Sequence, residues 1–314
     1  MQITAAMVKE LRDASGAGMS ACKNALVEAN GDLKRASEIL REKGLAAAAK
    51  KAGRVAAEGL VFVAVTEDRQ KGVMVEVNSE TDFVAKNENF VNFGKQVTDQ
   101  ALKSTAETVE ALLEEKWAAD PSQTVKDVLT QQISTIGENI GIRRFERYEV
   151  AENSAIIEYV HGGGRVGVMV EMNYSNGDGC GDACDNACTD AGKNICMQIA
   201  AMSPQYVCKN CVDPNYIASE KEFHTKQALA EGKPANIAEK MAEGRINKTF
   251  KEICLMEQEY VKEDGMSVAE YLRSVGKDHK CTPGVTRFVR YEKGEGIEKK
   301  EENFAEEVSK AMQG

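Results

Sequence analysis

The sequence predicts an α+β fold, and three observations carry that prediction. Two strand-like pairs share the string GVMVE, at Gly72 to Glu76 and again at Gly167 to Glu171. A helix-period segment follows each pair, at 88–103 and 191–202. Wholly helical patterns occupy residues 3–43 and 214–253. Strand pairs joined by tight turns and followed by helices build antiparallel sheets covered on one face.

Taken in chain order, residues 3–43 read as three short helices. Thr4 is placed to cap the first, whose Met7, Val8 and Leu11 form an apolar stripe at helical spacing. Ser15-Gly16-Ala17-Gly18 breaks it, and Ser20 opens a second helix carrying Cys22, Ala25, Leu26 and Ala29. Asn30-Gly31-Asp32 forms a turn and cap for a third, with Leu33, Ala36, Ile39 and Leu40 inward and a stop expected at Gly44. The Ala-rich stretch 45–58 reads as a connecting helix or linker.

Gly59 to Val65 and Lys71 to Val77 make the first strand pair, and Ala155 to Val160 and Val166 to Met172 the second. RFERYEV at Arg144 to Val150 and RFVRYEK at Arg287 to Lys293 echo each other as further strands. The core is therefore a duplicated sheet-and-helix unit. Pro214 to Glu231 and Ala235 to Ile253 form a helical hairpin around Gly232-Lys233-Pro234, in which Tyr216, Ile217 and Phe223 are expected to meet Ile237, Met241 and Phe250. Phe304, Val308 and Met312 give the tail an amphipathic helix over 303–312. The expected units are 1–53, 54–145, 146–213 together with 254–295, the insert 214–253, and 296–314.

A length of 314 residues suits two or three domains, and 42% hydrophobic with 29% charged residues is an ordinary globular mix. The N-terminus, MQITAAMVKELRDA, lacks the basic and apolar blocks of a secretory signal, and no run reaches membrane-helix length, so a cytoplasmic protein is expected. A net charge of −10 speaks against a phosphate-binding surface for nucleic acid.

Motifs for chemistry are sparse. Gly162 to Gly167 matches GxGxxG, but a strand follows where a dinucleotide site needs a helix. No P-loop, nucleophile elbow or HExxH occurs, and the three histidines, His161, His224 and His279, lie far apart. No enzyme is indicated. Six of nine cysteines crowd between Cys180 and Cys211, and the part NGDGCGDACDNACTDAG, 176–192, is acidic and glycine-rich, which suits an exposed loop or cap. Cys208 and Cys211 have the CxxC spacing of half a zinc site, with Cys184 and Cys188 as an irregular second half. A structural zinc, reduced thiols and a local disulfide all fit that pattern. A CxxC redox enzyme fits less well without a βαβ unit around it.

VNSETDFVAKN, from Val77 to Asn87, closes the first strand pair. Ser79, Thr81 and Asp82 can all cap a helix, and Phe83 could fold back onto the core. Alternatively, the strand end holds Asp82 and Phe83 at an exposed corner as an interface anchor. The second GVMVEM pair runs into NYSNGDG with no Thr-Asp-Phe. The scaffold turns that corner without those residues, which favours a role toward another molecule.

Nearly the whole chain resembles translation elongation factor Ts. VKELRDASGAGMSACKNALVEANGDL is similar to the family's N-terminal module, which is like a ubiquitin-associated domain, and EVNSETDFVAKN to its most diagnostic string. IGENIGIRR from Ile136, HGGGRVGVMVE from His161, IAEKMAEGRINK from Ile237 and GEGIEK from Gly294 follow in the family's order. The resemblance implies a guanine-nucleotide exchange factor for elongation factor Tu that works without covalent chemistry or a required cofactor. Thr81, Asp82, Phe83 and Val84 would enter the GTPase domain, Phe83 as a wedge and Asp82 toward displacing Mg2+. It further implies secondary partner contacts at Met19, His161, Val261 and Met312. The cysteine-rich segment departs from the family pattern. That departure keeps a zinc- or thiol-dependent redox protein on the same scaffold as the alternative; by fold analogy alone, the N-terminal bundle adds an adaptor for ubiquitin-like proteins as a third class.

Overall fold

The computed structural model describes residues 3–151, 153–176, 182–279 and 281–298. The N-terminal module consists of α1 (Ala5–Ser15), α2 (Met19–Glu28) and α3 (Leu33–Lys51). Thr4 caps α1 by accepting from Met7 N at 3.3 Å, and Gly16 ends it at φ 66°. Asp32 caps α3 by accepting from the amides of Lys34 and Arg35. Val8, Leu11, Cys22, Ala25, Leu26, Ala36 and Ile39 form its small core.

Two details differ from expectation. Helix α2 starts at Met19 behind Gly18, which has no side chain to cap it, and not at Ser20. Helix α3 runs through Gly44 to Lys51, so the Ala-rich stretch is largely its continuation. A run of strong helix formers outweighs the cost of one glycine, about 1 kcal/mol. Gly44 is buried beside Thr130 and Ser134.

The first half of the core comprises β1 (Glu58–Val65), β2 (Lys71–Ser79), α4 (Asp82–Ala85), α5 (Glu88–Lys103), α6 (Val109–Glu114), β3 (Lys116–Trp117), β4 (Asp120–Thr124), α7 (Val125–Ile136) and β5 (Gly141–Glu149). Strands β1, β2 and β5 pair antiparallel in that order, with Val65 opposite Gly72 and Lys71 opposite Glu149. Val73, Val75 and Val77 point to one face of β2 and pack with Phe90, Phe93, Val97 and Ala101 of α5. Elements α6, β3, β4 and α7 lie where the sequence pattern predicted none. Thr124 and Asp127 close α7 at its start with a reciprocal capping box.

The second half comprises β6 (Ser154–His161), β7 (Val166–Asn176), α8 (Asp182–Met202), α9 (Pro214–Ala230), α10 (Ala235–Ile253), α11 (Val268–His279) and β8 (Cys281–Glu292). Its sheet, β6-β7-β8, repeats the first in order and sense. Even the irregularity after the shared glutamate recurs, at Glu76/Val77 and at Glu171/Met172. Helix α8 starts at Asp182, so much of the expected cysteine-rich loop is helix. Within the hairpin, Ala228, Ala238, Ala242 and Ile246 are buried, while Tyr216, Phe223 and Ile237 are exposed. This corrects the expected aromatic seam: small residues let the two helices approach closely. The expected tail helix, 303–312, lies outside the described residues. Among the described residues no helix is long and apolar enough to cross a membrane.

The two sheets meet through the faces opposite their helices. Met74 and Val61 pack there with Met169, Ile156, Tyr148 and Tyr291. Gly72 leaves room for Met169 and Ile156, and Gly167 leaves room for Met74 and Val61. The repeat's own glycines therefore receive the other copy's side chains. Arg144 stacks over Tyr291 and Arg287 over Tyr148, each 4.0 Å from the ring centre. Arg144 also bonds Glu76, and Arg287 bonds Glu171.

Candidate functional site

Strand β2 ends at Ser79, and the chain turns into the single helical turn α4. Thr81 starts that turn, its hydroxyl accepting from Val84 N at 3.4 Å. Glu138, from the loop between α7 and β5, holds Thr81 from behind. Its carboxylate accepts from Thr81 N at 3.0 Å and from Thr81 Oγ1 at 2.6 Å. Glu80 accepts from Asn139 N at 2.6 Å in the same loop. Val84 and Ala85 face the core.

These bonds leave one large side chain outside. Phe83 is 80% exposed, so it is not folded back onto the core. Water contact on that scale costs an aromatic its burial free energy, about 1.5–3 kcal/mol, unless something else covers it. Asp82 beside it accepts from Lys86 Nζ at 2.7 Å, one helical turn on. That hydrogen bond holds the Asp82 carboxyl below its ordinary range, so it is charged at neutral pH. Lys86 Nζ also lies 6.0 Å from the Phe83 ring centre.

Next to this corner an open cleft of about 780 Å³ runs between the two halves of the core. Its walls include β1, Asp82 and Lys86, Lys95 of α5, the Gly162–Arg165 turn and Lys293. Lys293 pairs with Glu58 of β1 across the junction. Glu138, Lys86 and Lys293 were missed by sequence reasoning as parts of this corner. The GEN string at 137–139 carried the signal for Glu138, since Gly137, at φ 92°, turns the loop back toward β2.

The remaining expected residues sit apart. Met19 is 48% exposed at the start of α2. Its module is held to α7 by the Arg41–Asp127 pair at 2.8 Å and by Thr135 donating to the Gly16 carbonyl. His161 is exposed at the end of β6, next to the turn that lines the cleft, with Nδ1 2.9 Å from the Tyr159 hydroxyl. Val261 is 46% exposed, and its amide donates to Gln198. Met312 lies outside the described residues.

The cysteines divide. Cys188 is buried with its sulfur 3.8 Å from that of Cys281. Cys208 and Cys211 face each other at 2.9 Å on a surface turn. The side chain of Cys184, and Cys180 altogether, lie outside the described residues. Among the described residues no three His, Cys, Asp or Glu side chains are grouped to hold a metal ion.

Comparison with known proteins bears on the whole chain. A family model described as Elongation factor TS matches residues 80–295, beginning one residue before Thr81. A relative from Clostridium perfringens named elongation factor Ts is 52% identical over 308 residues, covering 98% of each chain. One from Clostridium acetobutylicum is 50% identical over 311 residues, 99% of each, and one from Clostridium botulinum 49% identical over 310. Similarity of that degree, sustained end to end, means that the chain belongs to the elongation factor Ts family.

Proposed function

We propose that this chain is a guanine-nucleotide exchange factor that binds GDP-bound elongation factor Tu and speeds GDP release during translation elongation in the cytoplasm. The observation that carries the reading is Phe83, presented to solvent on a turn clamped by Glu138. A rigid aromatic with little entropy left to lose is what a protein interface uses as an anchor.

Phe83 enters the GTPase domain of the partner, and Asp82 brings a negative charge toward its Mg2+ site. The metal neutralises much of the phosphate charge, so displacing it weakens the hold on GDP. Val84 and Thr81 keep the wedge in line, while Met19, His161, Val261 and Met312 contact the partner further out. No covalent step and no cofactor are required. Coupling is reciprocal: a factor that loosens nucleotide is itself loosened when nucleotide returns.

The test follows release of fluorescent GDP from elongation factor Tu. Wild-type protein is expected to accelerate it. Phe83→Ala should remove about 2 kcal/mol of the stabilisation, a loss on the order of 30-fold, as for a central interface anchor. Its folding stability should stay within about 0.5 kcal/mol of wild type, as for a surface change. Absence of acceleration by the wild type would overturn the reading.

A further inference from the structure

We infer that Cys208 and Cys211 form a reversible dithiol–disulfide couple at the root of the α9–α10 hairpin, open to exchange with low-molecular-weight disulfides. The two sulfurs lie 2.9 Å apart, closer than two unbonded sulfurs normally rest. The Lys209–Cys211 turn holds them there, with Cys211 N donating to the Cys208 carbonyl at 2.9 Å. Cys211 is exposed and Cys208 half-buried, so a small reagent can reach the pair.

What surrounds the pair is fixed. Gln205 N and Tyr206 N donate to the Ile253 carbonyl, Leu255 N to Tyr206 O, and Met256 N to Val207 O. The chain entering the turn is thereby tied to the chain leaving α10. On the other side, Val212 is buried and Asp213 caps α9. The Cys208–Cys211 turn is the short link between these two anchors. A covalent bond there sets how α9 leaves the core.

The third nearby sulfur, Cys254, is buried, and that burial pushes its thiol up to about 11, so it keeps its proton and stands aside. The hydrogen bond with Cys208 raises the Cys211 thiol as well, so exchange should quicken as pH rises. The chemistry balances in two steps. A thiolate of the pair attacks the small disulfide, whose S–S bond breaks to release one small thiolate and leave a mixed disulfide. The second thiolate attacks the protein sulfur of that mixed disulfide and expels the other small thiolate. Two protein thiols give up two electrons, and the small disulfide becomes two thiols that take up the two protons.

Lys209 lies between the two cysteines, so trypsin separates them unless they are bonded. The full-length protein would be equilibrated in graded glutathione and glutathione-disulfide buffers, blocked with iodoacetamide, digested and analysed by mass spectrometry. Expected is a pair of peptides, one with Cys208 and one with Cys211, joined by a bond that fragmentation assigns to those sulfurs. The link should vanish on reduction and follow a two-electron dependence on the buffer ratio. Cys211→Ser should stop at a glutathione adduct on Cys208. A linkage to Cys254 or Cys196, a lasting mixed disulfide in the wild type, no oxidation at any ratio, or one tightly bound zinc per chain that blocks oxidation would each overturn the inference. None of these readouts depends on nucleotide exchange.

Discussion

Single residues at the corner divide into those that present and those that hold. Phe83 presents; Thr81 and Glu138 hold. Glu138 makes two charge-assisted bonds to Thr81 from a loop 57 positions away in sequence. Glu138→Gln keeps the shape and removes the charge, so it should cost about 1–2 kcal/mol in a urea melt. GDP release should slow beyond what that loss of folded protein explains, because the wedge is no longer fixed. Unchanged release at full folding would show that the clamp is irrelevant. The Asp82–Lys86 pair is exposed and adds little to stability, so its worth lies in placing charge.

At the scale of elements, α5 and its sheet decide whether the corner stays in place. Gly94 of α5 sits on the Phe62 ring, and a methyl group there would overlap it. Gly94→Ala is therefore expected to destabilise by about 1–3 kcal/mol despite alanine's better helix propensity, read as a lower thermal midpoint. A midpoint at or above wild type would mean that Phe62 moves aside freely. Much at this scale was legible in the sequence. Strand pairs, α5, the hairpin helices and the caps Thr4 and Asp32 follow from period and turn chemistry, which act over a few residues. The length of α3 was not, because a glycine in a strong helical run is a stop only when nothing packs on it. The hairpin seam was misjudged for a related reason: the largest apolar side chains were expected inside, and close helix packing selected alanines.

The molecule as a whole is joined through Glu76. Its side chain is fully buried, and it accepts from Arg143, Arg144, Asn78 and the Gly294 amide beyond β8. Burial alone would push this carboxyl up, but the four donors together outweigh it and hold it below its ordinary value of 4.5. A group lowered in the folded state lends stability above its unfolded value and loses it as pH falls through the folded one. Stability should therefore drop as pH falls below 4.5, and Glu76→Gln should flatten part of that slope in denaturant melts across pH. At neutral pH the same variant should cost about 3 kcal/mol, the low end for a broken buried pair because both arginines remain partly solvated. An unaltered slope would assign the acid sensitivity elsewhere.

By itself the sequence determined the sheet strands and most of the helices, the duplication and the family resemblance, because periodicity, caps and strings are written in neighbouring residues. Tertiary structure alone decided which face of each GVMVE strand meets the other copy, with each glycine receiving the other's methionine. It decided that Phe83 stands in solvent and that Glu138 braces it from behind. It also decided that, of the crowded cysteines, Cys188 turns to the distant Cys281. Such choices rest on packing between residues far apart in the chain, and a local pattern carries the same signal whichever partner is chosen.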